Sequence, residues 1–390
     1  MKIFSSFNAL LSSTISLCCV LIASQTFAAY PTTVTDLAGR QVVIKETPER
    51  VILGDSRYLN ALSVIFPENP LQHVAAMLSD LKSIDFGTYK AYEARFPIIQ
   101  DIPIIGRTSV QSFSIESAIT LSADLAIFSL DGHGPNARHS DVIATLEKAG
   151  VKVIFVDFRQ HPLTNTLTSI DLLGEVFQRQ SAAQRFSEFY SNELNKVTKG
   201  LSSLKNISNK EVFIHSRVGV SNACCETMVR GMIADFVIAA GGHNIADAIV
   251  PGAAGVINLE HLLTHQPEAY IATAVGSKGM PNEGNTAALP YVMLGAGTPK
   301  DDATRSLKSA LIRNNLQHLD AVTSGNAHAI WHGFYNSPLN VAAIQRIAKW
   351  LYPDTFSDLN PDATLARIFN EFQAIDQTGT YWVTLGPAKI

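Results

Sequence analysis

Apolar residues gather along this chain in short, nearly unbroken runs, separated by stretches with helical spacing. RVILGD (50–55), DLAIFSL (124–130) and VKVIFVD (151–157) read as buried strands. Between the last two, SDVIATLEKAG (140–150) has helical periodicity and closes on glycine. Strand, helix, strand in that order predicts a parallel sheet with helices on its faces. The same order restarts later. EVFIHSR (211–217), AYIATAV (269–275) and AHAIWHG (327–333) predict strands, and IADFVIAAGG (233–242) predicts a helix closed by glycines. Between the halves, Phe186, Phe189, Leu194, Val197, Leu201 and Leu204 recur mostly every three or four residues. They define one face of an amphipathic helix over 181–204. A helix of that length spans roughly 36 Å, enough to bridge two domains or to serve as a core helix within one.

The two halves share a unit. SIESAITLSADLAI (114–127) aligns without gaps to NLEHLLTHQPEAYI (258–271). Each begins with an N-cap residue, Ser114 or Asn258, and places a glutamate two residues later, Glu116 or Glu260. Each continues as an apolar-faced helix, an acidic residue and a strand. A first-turn glutamate is favourable to the helix dipole wherever it occurs. Its repetition at equivalent positions points further, to paired contacts at the tips of two related lobes.

The first residues change the setting. Lys2, the apolar stretch ALLSSTISLCCVLIA and the small residues of TFA before Ala29 read as an export leader, cleaved near Ala28. The stretch is short and serine-rich for a spanning helix. The expectation is a soluble exported protein, periplasmic in a cell with two membranes. With 390 residues, 46% hydrophobic and 16% charged, the chain is long enough for two cores. Its net charge of −4 is mildly acidic and argues against a nucleic-acid partner.

Loss of the leader removes Cys18 and Cys19 and leaves only Cys224 and Cys225, side by side in SNACCETMVRG. Neighbouring Cα atoms lie about 3.8 Å apart, against about 4.4–6.8 Å in ordinary disulfides. A bond between them would close a small rigid ring. In an oxidising compartment the pair reads as a vicinal disulfide; a free thiol pair and an intermolecular link are the alternatives.

Ligands of open α/β sheets sit outside the carboxyl ends of the strands. Arg57 and Tyr58 follow the first strand, Arg107 lies in IGRTS, Arg217 ends a strand of the second half, and His332 and Tyr335 lie in WHGFYNSP. Arginine favours a carboxylate or another oxygen-rich anion, and tyrosine offers flat apolar contact. Any one of these arginines is equally compatible with a surface charge or a structural ion pair. His328 and His332 are four apart in a predicted strand, roughly 13 Å, too far to chelate one ion. His261 and His265 are four apart on a predicted helix, but no local third ligand completes a site. No zinc spacing, GxSxG, P-loop or GxGxxG motif occurs. The residues therefore predict neither a resident metal nor a catalytic centre.

TVTDLAGRQVVIKETPERVILG (33–54) resembles the opening of periplasmic binding proteins for ferric siderophores, haem and cobalamin. The paired glutamate segments, FVIAAGGHNIA (236–246) and GNAHAIWHGFYNSPLNVAAIQRIAKWLYPDTF (325–356) are similar to later parts of that family, one branch of which also carries CC in the second lobe. The resemblance implies an α/β fold of two Rossmann-like lobes, with central, mostly parallel sheets joined by a single long helix. The implied boundaries are a leader over 1–28, an N-terminal lobe over 29–165, a helical linker over 166–205 and a C-terminal lobe over 206–390. It implies a monomeric binder rather than an enzyme, holding a ferric siderophore in the cleft and closing modestly. Haem or another metal chelate, cobalamin-like, is the alternative ligand. The chelate brings its own iron, so no cofactor is implied. Arg57, Tyr58, Arg107, Arg217, Cys224, Cys225, His332 and Tyr335 are the candidate contacts, chosen by loop position. Glu116 and Glu260 would dock on arginines of the dimeric inner-membrane permease of an ABC importer. Where the CC branch often continues with arginine, this chain has Glu226. An exported enzyme on a nitrogenase-like two-lobed scaffold is the competing class.

Overall fold

The computed structural model describes residues 30–204, 209–220, 224–277 and 291–387. The leader reading over 1–28, with Cys18 and Cys19, lies outside them.

The described chain begins with an antiparallel hairpin, β1 (Thr32–Thr35) and β2 (Gln41–Ile44). The first lobe then builds a parallel sheet from β3 (Val51–Leu53), β4 (Val74–Met77), β5 (Leu125–Ser129) and β6 (Lys152–Val156), in the order β4-β3-β5-β6. Successive strand side chains point to opposite faces, so wholly apolar strands need cover on both sides. Leu53, Leu125, Ile127, Ile154 and Val156 enter one core, whereas Ile52, Ala126, Phe128, Val153 and Phe155 enter another. The helix Ser140–Lys148 covers the second core with Ile143 and Leu146, and the turn back to β6 passes through Gly150 at φ +96°.

Two helices lead from this lobe to the next, Pro162–Val176 and the long Gln180–Ser202. The long helix packs against Leu59–Ile65 of the first lobe and Asn340–Leu351 of the second, so it joins them. Its buried face holds Phe186, Phe189 and Val197 from the apolar pattern, and also Tyr190 and Glu193. A buried carboxylate needs partners. Glu193 receives Gln345 Nε2 at 2.9 Å, Thr364 Oγ1 at 3.2 Å and Lys196 Nζ at 2.7 Å.

The second lobe comprises β7 (Lys210–His215), β8 (Glu226–Met228), β9 (Gly242–Asn244), β10 (Ala254–Val256), β11 (Ala269–Ala274), β12 (Ala327–Trp331) and β13 (Trp382–Leu385). Its main sheet runs β13-β12-β11-β7-β9, parallel except for β13. β8 and β10 form a separate two-stranded antiparallel ribbon, with a helix and β9 between them in the chain. The expected fold class holds: two α/β lobes with mostly parallel central sheets, linked through a long helix. The inner core of the first lobe runs on without a break into the second. The chain also returns to the first lobe near its end, where Gln373 Nε2 donates to the Asn60 carbonyl at 3.0 Å. No helix among the described residues is long and apolar enough to cross a membrane.

Candidate functional site

Residues that follow strands of both sheets face one another across a cavity of about 460 Å³. The first lobe contributes Ser83, Ile84, His133 and Arg159, which come after β4, β5 and β6. The second contributes Ser216, Arg217, Val275, His332 and Tyr335, after β7, β11 and β12. The β8–β10 ribbon forms a further wall through Thr227, Met228 and Val256, with Met232 beside it. A cavity of this size lies within the usual range for small-molecule sites.

Below the cavity, the lobes share a buried polar network. Asp55 is fully buried just past β3. Its Oδ1 accepts the Arg57 backbone N–H and Nε–H, both at 2.9 Å. Its Oδ2 accepts Arg57 Nη2 at 2.5 Å and, from the other lobe, Asn336 Nδ2 at 2.9 Å. Arg57 Nη1 donates to the Tyr335 hydroxyl at 2.6 Å. His133 Nε2 lies 3.1 Å from that hydroxyl, and its Nδ1 lies 2.8 Å from Asp80 Oδ1. Burial alone would raise the Asp55 pKa, but the charge and hydrogen bonds of Arg57 hold it below the usual carboxylate range. Asp55, Asp80 and His133 each place a ligand atom within 4.8 Å of the others. A cation there would meet the Arg57 guanidinium, which already occupies both Asp55 oxygens.

His332 is built differently. Its Nδ1 lies 3.0 Å from Thr273 Oγ1, which also accepts the Arg217 backbone N–H at 2.7 Å. Burial pushes its pKa well below the ordinary histidine value, and the charges of Arg57, Arg217, His133 and Arg159 push it further down. The imidazole is therefore neutral at physiological pH. Its ring lies 4.5 Å from that of Tyr335.

Of the residues chosen from loop position, Arg217, His332 and Tyr335 line the cavity. Arg57 lies behind Tyr335, 2% exposed and neutralised by Asp55. Tyr58 is turned into the core against Phe158 and does not reach the cavity wall. Arg107 is exposed and lies outside this cavity. Both depart from the expected contacts: position after a strand does not decide which way the Tyr58 side chain turns, and Arg107 lies in a loop well past β4 that does not border the cavity. Arg217 is paired with Glu226 at 2.8 Å, so the acid following CC engages an arginine of its own lobe.

Cys224 and Cys225 are joined by a disulfide. Cys225 is fully buried. Its N–H donates to the Ile257 carbonyl at 3.2 Å, and its carbonyl accepts the Ile257 N–H at 3.1 Å, extending the β8–β10 pairing by one step. The disulfide thus stands at one end of the β8–β10 wall and, contrary to the expectation for Cys224 and Cys225, does not itself line the cavity.

Arg159 and His133 escaped the sequence reading. The strand-end rule that singled out Arg57 would have found both, in VDFRQ after β6 and SLDGHG after β5, had it been applied to every strand of the first half. His261 and His265 stack at 4.1 Å, with His265 Nδ1 only 3.1 Å from the His261 carbonyl. His328 is buried, stacked on Trp350 and tied to Thr384.

The repeated units are alike in three dimensions. Ser114 caps Ile115–Thr120 by accepting the Ser117 N–H, and Asn258 caps Leu259–Thr264 by accepting the His261 N–H. Residue by residue the two helices show the same sequence of burial, with Ala118 and Leu262 facing inward. Glu116 and Glu260 are exposed, and one turn on so are Ile119 and Leu263, at 40% and 41%.

No family model matches the chain. A search of curated proteins finds an uncharacterised ABC transporter substrate-binding lipoprotein, YvrC, of Bacillus subtilis (strain 168), 21% identical over 49% of this chain. The match spans about half, 54%, of that relative's length. Among solved structures, the TroA-like periplasmic binding protein FepB from Veillonella parvula superposes with a TM-score of 0.79. It is 21% identical, over 91% of this chain and all of that one. The molybdate periplasmic binding protein MolA of Haemophilus influenzae, solved with molybdate, gives a TM-score of 0.66. It is 15% identical, over 89% of this chain and 99% of that one. The chain has the fold of TroA-like periplasmic binding proteins.

Proposed function

We propose that the protein is the exported substrate-binding component of an ABC importer, and that it captures a ferric siderophore in the cleft between its lobes. The observation that carries the reading is the cavity itself. Strand ends from two sheets converge on it, its floor is hydrogen-bonded across the lobes, and one wall is apolar. The likeness to FepB and to the YvrC lipoprotein supports the importer role. Glu116 and Glu260, exposed on matching short helices, would meet two cationic sites on a dimeric inner-membrane permease. Such contacts set orientation and association rate more than affinity. The protein acts in the periplasm and binds without turnover.

A second reading, haem or another metal chelate, is favoured by one detail. Tyr335 and the neutral His332 lie side by side at the cavity, and both residue types serve as axial iron ligands. Turnover of a bound chelate would instead support an exported enzyme.

The test is direct. Trp331 adjoins His332, and its indole packs against Phe334 and Tyr381. A ferric siderophore should quench tryptophan fluorescence with one-to-one saturation, and native mass spectrometry of protein from its own periplasm should show the ligand mass. A broad panel of siderophores, haem and cobalamin without a saturable signal or mass shift would sink the reading.

The disulfide provides a separate prediction. Changing Cys224 and Cys225 together to serine should loosen the end of the β8–β10 ribbon, lower the melting temperature by a few degrees and weaken ligand binding. A loss of roughly 1–2 kcal/mol corresponds to about 4–8 °C in a small domain and less here. Unchanged melting and unchanged affinity would remove the disulfide from the account.

A further inference from the structure

Almost every charge around the cavity is already answered from within the protein. Arg57 is held by Asp55 and Arg217 by Glu226 at 2.8 Å, while the His133 ring is hydrogen-bonded to Asp80 at 2.8 Å. His332 is neutral at physiological pH, as derived above. Arg159 differs. Its guanidinium makes no ion pair or hydrogen bond among the described residues, and its Nε is buried without a partner. Its side chain lines the cavity, 5.9 Å from the centre of the Tyr335 ring.

The surrounding structure holds that cation in place without neutralising it. Asp157 Oδ1 accepts the Arg159 N–H at 2.9 Å, and the Arg159 carbonyl accepts the Met232 N–H of the other lobe at 2.8 Å. Gly132, at φ +120°, lies against the guanidinium, where a Cβ would overlap Nη1. The rest of the lining includes the apolar side chains of Ile84, Val220, Met228, Met232, Val256 and Val275. Val220 and Val256 remain 44% and 58% exposed.

We propose, resting on the ferric-chelate reading above, that this cavity selects a neutral or singly anionic chelate with an apolar body. Its anionic group would sit on Arg159 and its body on the Met228–Met232–Val256 wall. The argument is one of charge balance. Iron(III) bound by three hydroxamates is neutral, and one pendant carboxylate makes it a monoanion. Iron(III) bound by three catecholates carries three negative charges. One free guanidinium answers one of them, and each charge left unpaired in a partly desolvated site opposes binding. The apolar wall offers the rest nothing but contact area, which favours an apolar body.

The experiment uses the mature protein and ferric tris-hydroxamates on one scaffold, carrying no, one or three pendant carboxylates, with a ferric tris-catecholate alongside. Affinities are read by tryptophan quenching at two salt concentrations. The monoanion should bind tightest, ahead of the neutral complex by roughly ten- to a hundredfold. Both triply charged complexes should be weaker than the monoanion. Arg159→Gln should abolish the gap between monoanion and neutral complex while leaving the neutral one bound, and Arg159→Lys should restore part of it. Equal or tighter binding of the trianions would overturn the proposal and leave the binding-protein reading standing. A gap that survives Arg159→Gln would overturn the role of Arg159. Binding of none of these complexes would overturn the siderophore reading itself.

Discussion

Arg57→Met should destabilise the protein by about 3–5 kcal/mol, because it strands a buried carboxylate. Asp55 is fully buried, and three of the four donors to it come from Arg57. Methionine leaves only the backbone N–H of position 57 and the Asn336 amide. The Tyr335 hydroxyl loses its shortest contact at the same time. Urea denaturation at neutral pH reads the loss. Arg57→Met combined with Asp55→Asn should recover much of it, since both charges are then gone and the site remains hydrogen-bonded. The pH dependence has a defined sign. In the wild type the Asp55 pKa is held below its unfolded value, so its contribution is present above the unfolded pKa and is lost as pH falls through the folded one. In the variant, acid protonates the stranded carboxylate, so the gap between the two proteins should narrow as pH falls. A loss under about 1 kcal/mol, the level of an exposed ion pair, would mean that water reaches the network and that it does not hold the lobes together.

Glu116→Ala with Glu260→Ala should reduce uptake by at least about tenfold, the effect of removing two charged anchors from an orienting interface. Ligand affinity should stay within about twofold, because neither helix touches the cavity. Stimulation of the importer's ATPase by liganded protein separates the two quantities. Each single variant should be intermediate, and the wild-type contact should weaken with salt. Lost ligand affinity with normal uptake would reject the docking role. Ile119 and Leu263 occupy the same outward faces, so the partner's two receiving sites should each set an apolar surface beside the cation.

Much of the scaffold was legible in one dimension. The strands at 51–53, 125–129, 152–156, 210–215, 269–274 and 327–331 lie where unbroken apolar runs placed them. Each is buried on both faces, so its composition carries the signal without help from partners. The long helix was legible from its stripe, except at Tyr190 and Glu193, whose burial depends on residues of distant helices. The duplicated capped helices were legible because N-cap, acid and apolar spacing are local features. β8, β9 and β10 were not. They are the short pieces ETM, GHN and AGV, without the apolar run that marks the equally short β3.

The site divides along the same line. Local sequence determined which segments end in strands, and therefore which loops border the cavity, including those of Arg217, His332 and Tyr335. It also placed Cys224 beside Cys225 and so made a vicinal disulfide one of three readings, which the structure resolves in favour of the bond. Tertiary structure alone decided which charges remain free. Asp55 claims Arg57, Glu226 claims Arg217, and the His133 ring is hydrogen-bonded to Asp80, whereas Arg159 is left facing the cavity without an acid. Arg57, Arg159 and Arg217 are the same residue type, each just past a strand. A guanidinium's availability depends on the carboxylate that folding brings within about 3 Å of it, and for Arg57 the binding geometry also depends on Tyr335, contributed from the far end of the chain.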